Sequence, residues 1–286
     1  MKNRKWPLGS IMSLSMLVEG KWAEYAAMGL DTCQVSLPFD LAGTQAERRA
    51  LIGANESLPM VSMILSWGEP AVWNFIDGPS TLGIVPEAYR ASRVAVLKRQ
   101  LDFVGDCGVE LISTHAGFIP ESPKGPSYAG VVDTLADLAA HAARYGISFN
   151  LETGQETPVA MKRAILDSGA PNLGINLDPA NLMMYGKANP VDAVGIFGEY
   201  VRSVHIKDGR YPTGDMKSLG NETAVGEGMV DFPALLHALE QAGFNGPLVI
   251  EREISGPRQV ADVRRAIAYI DAIIKPRPAD VRSRRS

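Results

Sequence analysis

Cysteine and histidine are scarce in this 286-residue chain, which holds two of the first and four of the second. Cys33 and Cys107 make no C-x-x-C pair, so a disulfide framework is excluded. They are expected as free, mostly buried thiols of a reducing, cytoplasmic setting. No apolar run reaches the roughly 18 residues of a membrane span, so no membrane association is expected. The start, Met1 to Pro7, carries charge with no apolar stretch behind it, and no signal peptide is expected. A basic excess is also missing: 28 Lys and Arg face 32 Asp and Glu, a net charge of -4. Nucleic acid is therefore not an expected partner.

What is present is a rhythm. Hydrophobic residues make up 46% of the chain, enough for a large core. Short apolar runs near 7–13, 31–37, 58–66, 109–116, 147–153, 173–178, 202–208 and 247–253 alternate with amphipathic helical patterns. Eight such runs predict parallel strands with helical crossovers, a single-domain (β/α)₈ TIM barrel over 1–275. The charged end, 276–286, is expected to be a disordered tail. Gly29, Gly108, Gly146 and Gly243 stand between helical patterns and strands, where a left-handed residue is wanted. Thr157-Pro158, Asn189-Pro190 and Asp231-Phe232-Pro233 predict helix N-caps with proline in the first turn. Val260, Val263, Ile267, Ile270 and Ile274 form one helical stripe. A doubly wound sheet is the main rival. It would carry a glycine-rich phosphate turn after its first strand, where this chain has Ser13-Leu14-Ser15-Met16.

Polar residues collect at the ends of the last four strands. Residues two apart on a strand share a face. Asn150 with Glu152, Asn176 with Asp178, and Ser203, His205 with Lys207 therefore point one way, and Leu151, Leu177, Val204, Ile206 and Ile250 the other. In a (β/α)₈ barrel the first set faces the interior, and active sites sit at its C-terminal rim. Glu152, Asp178, His205 and Glu251 then converge. Three carboxylates would repel one another without a cation. With one imidazole they suit one divalent ion: manganese (Mn²⁺), Mg²⁺ or Co²⁺, with Zn²⁺ as an alternative.

Other candidates carry two readings each. His115 ends the fourth strand facing inward, as a substrate ligand or as a satisfied core histidine. Lys207 supports a developing oxyanion or pairs with a rim carboxylate. Glu227 sits between two glycines, in a loop near the site or in a simple turn. The long connection from Ser66 to about Arg93 holds Trp67, Trp73 and Phe75, and is expected to be a lid over the barrel mouth from Trp67 to about Tyr89. His141 and His237 fall in helical patterns as surface or packing residues.

The pieces Leu151-Glu152, Leu177-Asp178-Pro179-Ala180-Asn181, Val204-His205-Ile206-Lys207-Asp208, Val225-Gly226-Glu227-Gly228-Met229-Val230-Asp231-Phe232 and Ile250-Glu251 occur in a fixed order. In this the chain resembles the xylose isomerase-like barrels, close to the tagatose/psicose 3-epimerase type, over roughly residues 5–275. The resemblance implies a sugar isomerase or epimerase. Glu152, Asp178, His205 and Glu251 would bind metal, and Glu152 and Glu251 would also be catalytic, moving protons on either side of an enediolate. It also implies carbohydrate contacts at Asn181 and around Arg210, which join Trp67, His115, Lys207 and Glu227 as candidate substrate contacts, and it implies a homo-oligomer. The sequence departs from the 3-epimerases at Asn181, where they carry histidine, and at Tyr211, where they carry arginine; here Arg210 is adjacent. It departs again at Pro158, where they carry glutamate; here Glu156 is nearby. These departures keep a second class open, a dehydratase or lyase acting on a keto-sugar or inosose. An endonuclease IV-like repair nuclease on the same fold would need a histidine-rich three-ion cluster, against four histidines and an acidic balance. A non-catalytic sugar-binding module would not need intact metal ligands.

Overall fold

The alternation of apolar and polar residues along each short run decides the architecture, because one face packs on helices and the other closes on itself. In the computed structural model, which describes residues 4–274, the strands are β1 (Leu8–Ser13), β2 (Thr32–Ser36), β3 (Met60–Ile64), β4 (Leu111–Thr114), β5 (Ser148–Glu152), β6 (Leu173–Leu177), β7 (Val201–Ile206) and β8 (Leu248–Ile250). They form one closed barrel in the order β1-β8-β7-β6-β5-β4-β3-β2, with every pairing parallel. The chain is thus a single-domain TIM barrel. The last strand is shorter than its apolar run because the chain leaves the ladder at Glu251, whose N–H still bonds Ile206 O at 3.2 Å. The tail expected at 276–286 lies outside the described residues.

Helix punctuation follows local chemistry. The side chains of Thr157, Asn189 and Asp231 accept from Ala160 N, Val191 N and Ala234 N, with proline in each first turn. Each cap contributes about 1 kcal/mol. Gly108 and Gly146 leave their helices at φ 69° and 71°, a left-handed backbone that costs glycine least. On the outer face Leu151, Leu177, Val204, Ile206 and Ile250 are fully buried against the helices, joined by Val263, Ile267 and Ile270 of the last helix, Pro257–Ile273, and by Ile274 at its C-cap. Val260 is only half-buried.

The barrel interior beneath the site is polar. Ser10, Gln34, Ser113, Asn150, Asn176 and Ser203 are all buried there. They bond from strand to strand around the interior: Gln34 Nε2 to Ser113 Oγ at 3.4 Å, Ser203 Oγ to Asn176 Oδ1 at 2.5 Å, Asn150 Nδ2 to Ile112 O at 2.8 Å.

The long connection lies at the C-terminal end of the barrel, as expected of a lid. Trp67 Nε1 donates to His115 O, just past β4, at 3.0 Å, and Phe75 N donates to Lys217 O at 3.0 Å. It is shorter than expected. A four-residue helix, Gly78–Thr81, interrupts it, and the long helix Glu87–Asp106 already includes Tyr89. Buried Arg93 closes it off by donating to Gly83 O and Pro70 O, each at 2.6 Å.

Candidate active site

The four acidic and imidazole groups reach one point by climbing the barrel in steps. Glu152 pairs with Asn176, and Asn176 pairs with Ser203, while His205 pairs with Val249. Asp178 therefore stands two residues above the level of Glu152, and Glu251 two above that of His205. A two-residue step keeps a side chain on the same face, and strand tilt brings the steps together. Glu152, Asp178, His205 and Glu251 each offer a ligand atom, all within 4.8 Å of one another. His205 Nδ1 lies 3.4 Å from Glu152 Oε1, 3.4 Å from Asp178 Oδ2 and 2.8 Å from Glu251 Oε2.

Each group is held from behind. Asp178 caps the helix Pro179–Met184, its Oδ1 accepting from Asn181 N at 2.8 Å, so Oδ2 is left for the centre. The Thr153 hydroxyl clamps the same residue, accepting from Asp178 N and donating to Asp178 O, both at 2.8 Å. His205 Nε2 lies 2.8 Å from Gln34 Oε1, reaching in from β2 across the interior, which fits a proton on Nε2 and leaves Nδ1 for the cluster. Asn176 Nδ2 is 2.9 Å from the same nitrogen. Turning that amide would offer its oxygen instead, and the Ser203 hydroxyl bonds either orientation.

A divalent cation fits this arrangement. Glu251 Oε2 is buried and, beyond its ionic contacts with His205 Nδ1 at 2.8 Å and Lys207 Nζ at 3.4 Å, has no hydrogen-bond partner among the protein atoms. Three carboxylate oxygens with one imidazole form a hard donor set. The electrostatics of the protein groups point the same way. Burial pushes the Asp178 carboxyl up to about 7, opposed by the Lys207 ammonium. Burial also disfavours charge on Glu152 and Glu251. His115 and His205 nonetheless hold Glu152 below the ordinary range, and Lys207 and His205 hold Glu251 well below it. Burial works against charge on His205 and Lys207 too, but the carboxylates around them raise both well above their ordinary values. Positive charge here is stabilised by packed anions.

Of the residues singled out beforehand, several meet at this centre. His115 Nε2 is 3.4 Å from Glu152 Oε1, and Asn181 Nδ2 is 3.4 Å from the same oxygen. Lys207 Nζ is 2.8 Å from Glu253 Oε1, 3.3 Å from Asn181 Oδ1 and 3.4 Å from Glu251 Oε2, so it has a rim carboxylate as partner and also faces the cluster. Trp67 lines the adjoining cavity with its indole N–H committed to His115 O. Arg210 and Glu227 are placed elsewhere. Both are exposed: the Arg210 guanidinium bonds Glu227 O, and Glu227 Oε1 pairs with Arg265 at 3.1 Å. The reason is Asp208. Its carboxylate accepts from the N–H groups of Gly209, Gly226, Gly228 and Val230, which folds the loop down and turns Glu227 outward. His141 pairs with Asp102 at 2.7 Å on the outer helices, and His237 is exposed.

Sequence reasoning missed Gln34, which no local pattern ties to His205. It also passed over Glu253, although its two-residue spacing from Glu251 places both on one face.

Residues 22–273 match the family model described as xylose isomerase-like TIM barrel. A xylose isomerase domain protein from Planctomyces limnophilus is 34% identical, with a TM-score of 0.85 over 94% of this chain and 97% of that one. A D-psicose 3-epimerase solved with D-fructose shares the fold at 17% identity and a TM-score of 0.69, covering 93% and 99% of the two chains. Among curated relatives, an uncharacterized protein of Methanocaldococcus jannaschii is 24% identical over 58% of this chain. An inosose dehydratase of Lacticaseibacillus casei is 24% identical over 36% of it. The matches span 59% and 38% of the lengths of those two relatives. With the family model matched over most of its length and a 34%-identical structure superposing over nearly all of it, the chain belongs to the xylose isomerase-like TIM barrel family.

Proposed function

We propose that this protein is a divalent-metal-dependent isomerase or epimerase of a small carbohydrate, moving a proton next to a carbonyl through an enediolate. The observation that carries this reading is the convergence of Glu152, Asp178, His205 and Glu251 on one point at the C-terminal mouth. The likeness to sugar epimerase folds agrees with it.

In this reading Glu152, Asp178, His205 and Glu251 hold the ion. A divalent cation bound there supplies positive charge that makes a carbon acid beside a carbonyl easier to ionise. Glu152 and Glu251 approach from β5 and β8, on two sides of His205, and each has a second carboxylate oxygen to face carbon. One removes the proton and the other returns it to the opposite face, which inverts the centre. Lys207, buried with Nζ 3.4 Å from Glu251 Oε2, offers a proton donor or a fixed positive charge for an oxygen that becomes anionic. His115 and Asn181, both against Glu152 Oε1, orient that carboxylate and reach toward substrate hydroxyls. Trp67 and the connection around it exclude water from the reacting carbon.

Elimination is the second reading. It starts with the same proton removal and ends with loss of a β-substituent. The partial likeness to an inosose dehydratase and the asparagine at 181 favour it. Incubating the metal-loaded enzyme with ketoses, keto-acids and inososes in deuterated water tests both. Deuterium at the carbon beside the carbonyl, with a saturated product, supports the epimerase. An unsaturated, ultraviolet-absorbing product supports elimination, and no exchange with any compound rejects both.

A further inference from the structure

The cavities over the barrel are larger than one sugar requires. A chamber of about 760 Å³ reaches the cluster at Glu251, and a second of about 450 Å³ reaches it at His115 and Asn181, the residues that touch Glu152. Glu253 borders both. Pockets of roughly 300–1,000 Å³ house drug-sized ligands, and a single hexose is much smaller than that.

Both chambers have mixed walls. The larger sets Ser10, Ser13 and Ser36 beside Tyr25, Val260 and Val263. The smaller has an aromatic wall of Phe39, Trp67, Trp73 and Tyr185. Its central element is rigid. Trp67 is anchored through Nε1 to His115 O, and the Arg93 guanidinium packs 4.5 Å from its ring. Trp73 stacks on Trp67 at 6.1 Å and meets the His115 ring edge-on at 5.1 Å. Yet Trp73 is 46% exposed and Phe39 is 45% exposed. Two large aromatic faces left in solvent beside a polar centre are a site for a ligand with an apolar face. A sugar ring presents such a face in its C–H bonds and keeps its hydroxyls at the edge. The wall starts one side chain away from Glu152, because His115 touches both Glu152 and Trp73.

Resting on the reading of the site as a carbohydrate isomerase or epimerase, we propose that the aromatic chamber is a second subsite. The substrate would then be a glycoside or oligosaccharide: one keto-sugar unit lies at the Glu152 and Glu251 carboxylates, and a linked sugar lies with its C–H face on Trp73.

The test uses the full-length, metal-loaded protein and four probes. They are D-fructose and three disaccharides, maltulose, turanose and isomaltulose, in which a glucosyl unit is attached to fructose at different hydroxyls. Affinities are read by calorimetry, and deuterium exchange is followed in parallel. At least one disaccharide should bind about 10-fold tighter than fructose, the scale of one good aromatic contact. In Trp73→Ala the ratio of the two affinities should fall to about one, and in Trp73→Phe most of it should remain. A ratio near one in the parent, or a ratio that survives Trp73→Ala, overturns the second subsite. If fructose then still exchanges deuterium, the isomerase reading stands without it. If no probe binds and nothing exchanges, both fall.

Discussion

The Nε2 atom of His205 on β7 lies 2.8 Å from Oε1 of Gln34 on β2, three strands away around the barrel interior. This contact fixes which imidazole nitrogen faces the three carboxylates. Groups that orient a metal-binding histidine affect affinity by roughly 10–100-fold. Gln34→Leu should therefore weaken Mn²⁺ or Mg²⁺ binding by that order, seen by calorimetry, while the circular dichroism of the fold is kept. Unchanged affinity would show that Asn176 alone suffices to orient the ring.

Glu152→Gln and Glu251→Gln should keep much of the ligand geometry and remove the base. Each should retain metal yet lose turnover by roughly 10²-fold or more. His205→Asn should act mainly through weaker metal binding and recover partly in excess metal. Metal content by elemental analysis, set beside deuterium exchange, separates the two behaviours. If both Gln variants exchange as fast as the parent, Lys207 and His115 are the next bases to examine.

Glu156 is buried, and neither carboxyl oxygen has a hydrogen-bond partner among the protein atoms. Burial pushes its pKa from the ordinary 4.5 to about 8. The folded state then holds a proton that the unfolded state has released. Stability is full below about 4.5 and falls by about 1.4 kcal/mol per pH unit until the folded group ionises near 8. Glu156→Gln removes this loss. Urea midpoints of parent and variant should match near pH 4.5 and diverge toward pH 8, with the variant more stable. Parallel curves across that range would mean that Glu156 titrates as an exposed glutamate does.

Gly228 has no room for a side chain. A Cβ there would stand 2.0 Å from Asp208 Oδ1 and 2.6 Å from Thr223 Oγ1. Gly228→Ala should cost about 1–3 kcal/mol in a denaturant melt, since something in the carboxylate cradle must move. Asp208→Ala should cost at least as much, because several loop N–H groups lose their acceptor. Alanine tolerated at 228 without loss would show that the loop is not pinned.

The strands and the ligand set were legible because both depend on spacing along one strand. Alternation put Leu151 and Leu177 outward and Glu152 and Asp178 inward. Thr157, Asn189 and Asp231 marked helix starts by chemistry that stays within three residues. What the sequence could not show depends on contacts made across the barrel or between loops. Gln34 meets His205 only because β2 and β7 curve to face each other. Glu227 lies near the ligands in the chain, but four N–H groups gathered by Asp208 turn it to solvent. The length of the lid was overread because the helix Glu87–Asp106 starts within an aromatic, proline-rich stretch.

All four residues of the cluster come from β5 to β8, the second half of the chain. The first half contributes Gln34 from below and Ser13, Ser36, Trp67, Trp73 and His115 around the mouth. Under the proposed function the proton-moving carboxylates sit on the later strands, while the mouth around them is drawn largely from the earlier half, with Asn181, Tyr185 and Glu253 added from the later one. On that proposal, variation in the early loops would retune which compound enters while the later strands keep their chemistry. A divalent ion held by the proposed ligands would also have a mechanical role. Bound between the ends of four adjacent strands, it would fasten the later half of the barrel, so amide exchange in β5 to β8 should slow on loading far more than in β1 to β3.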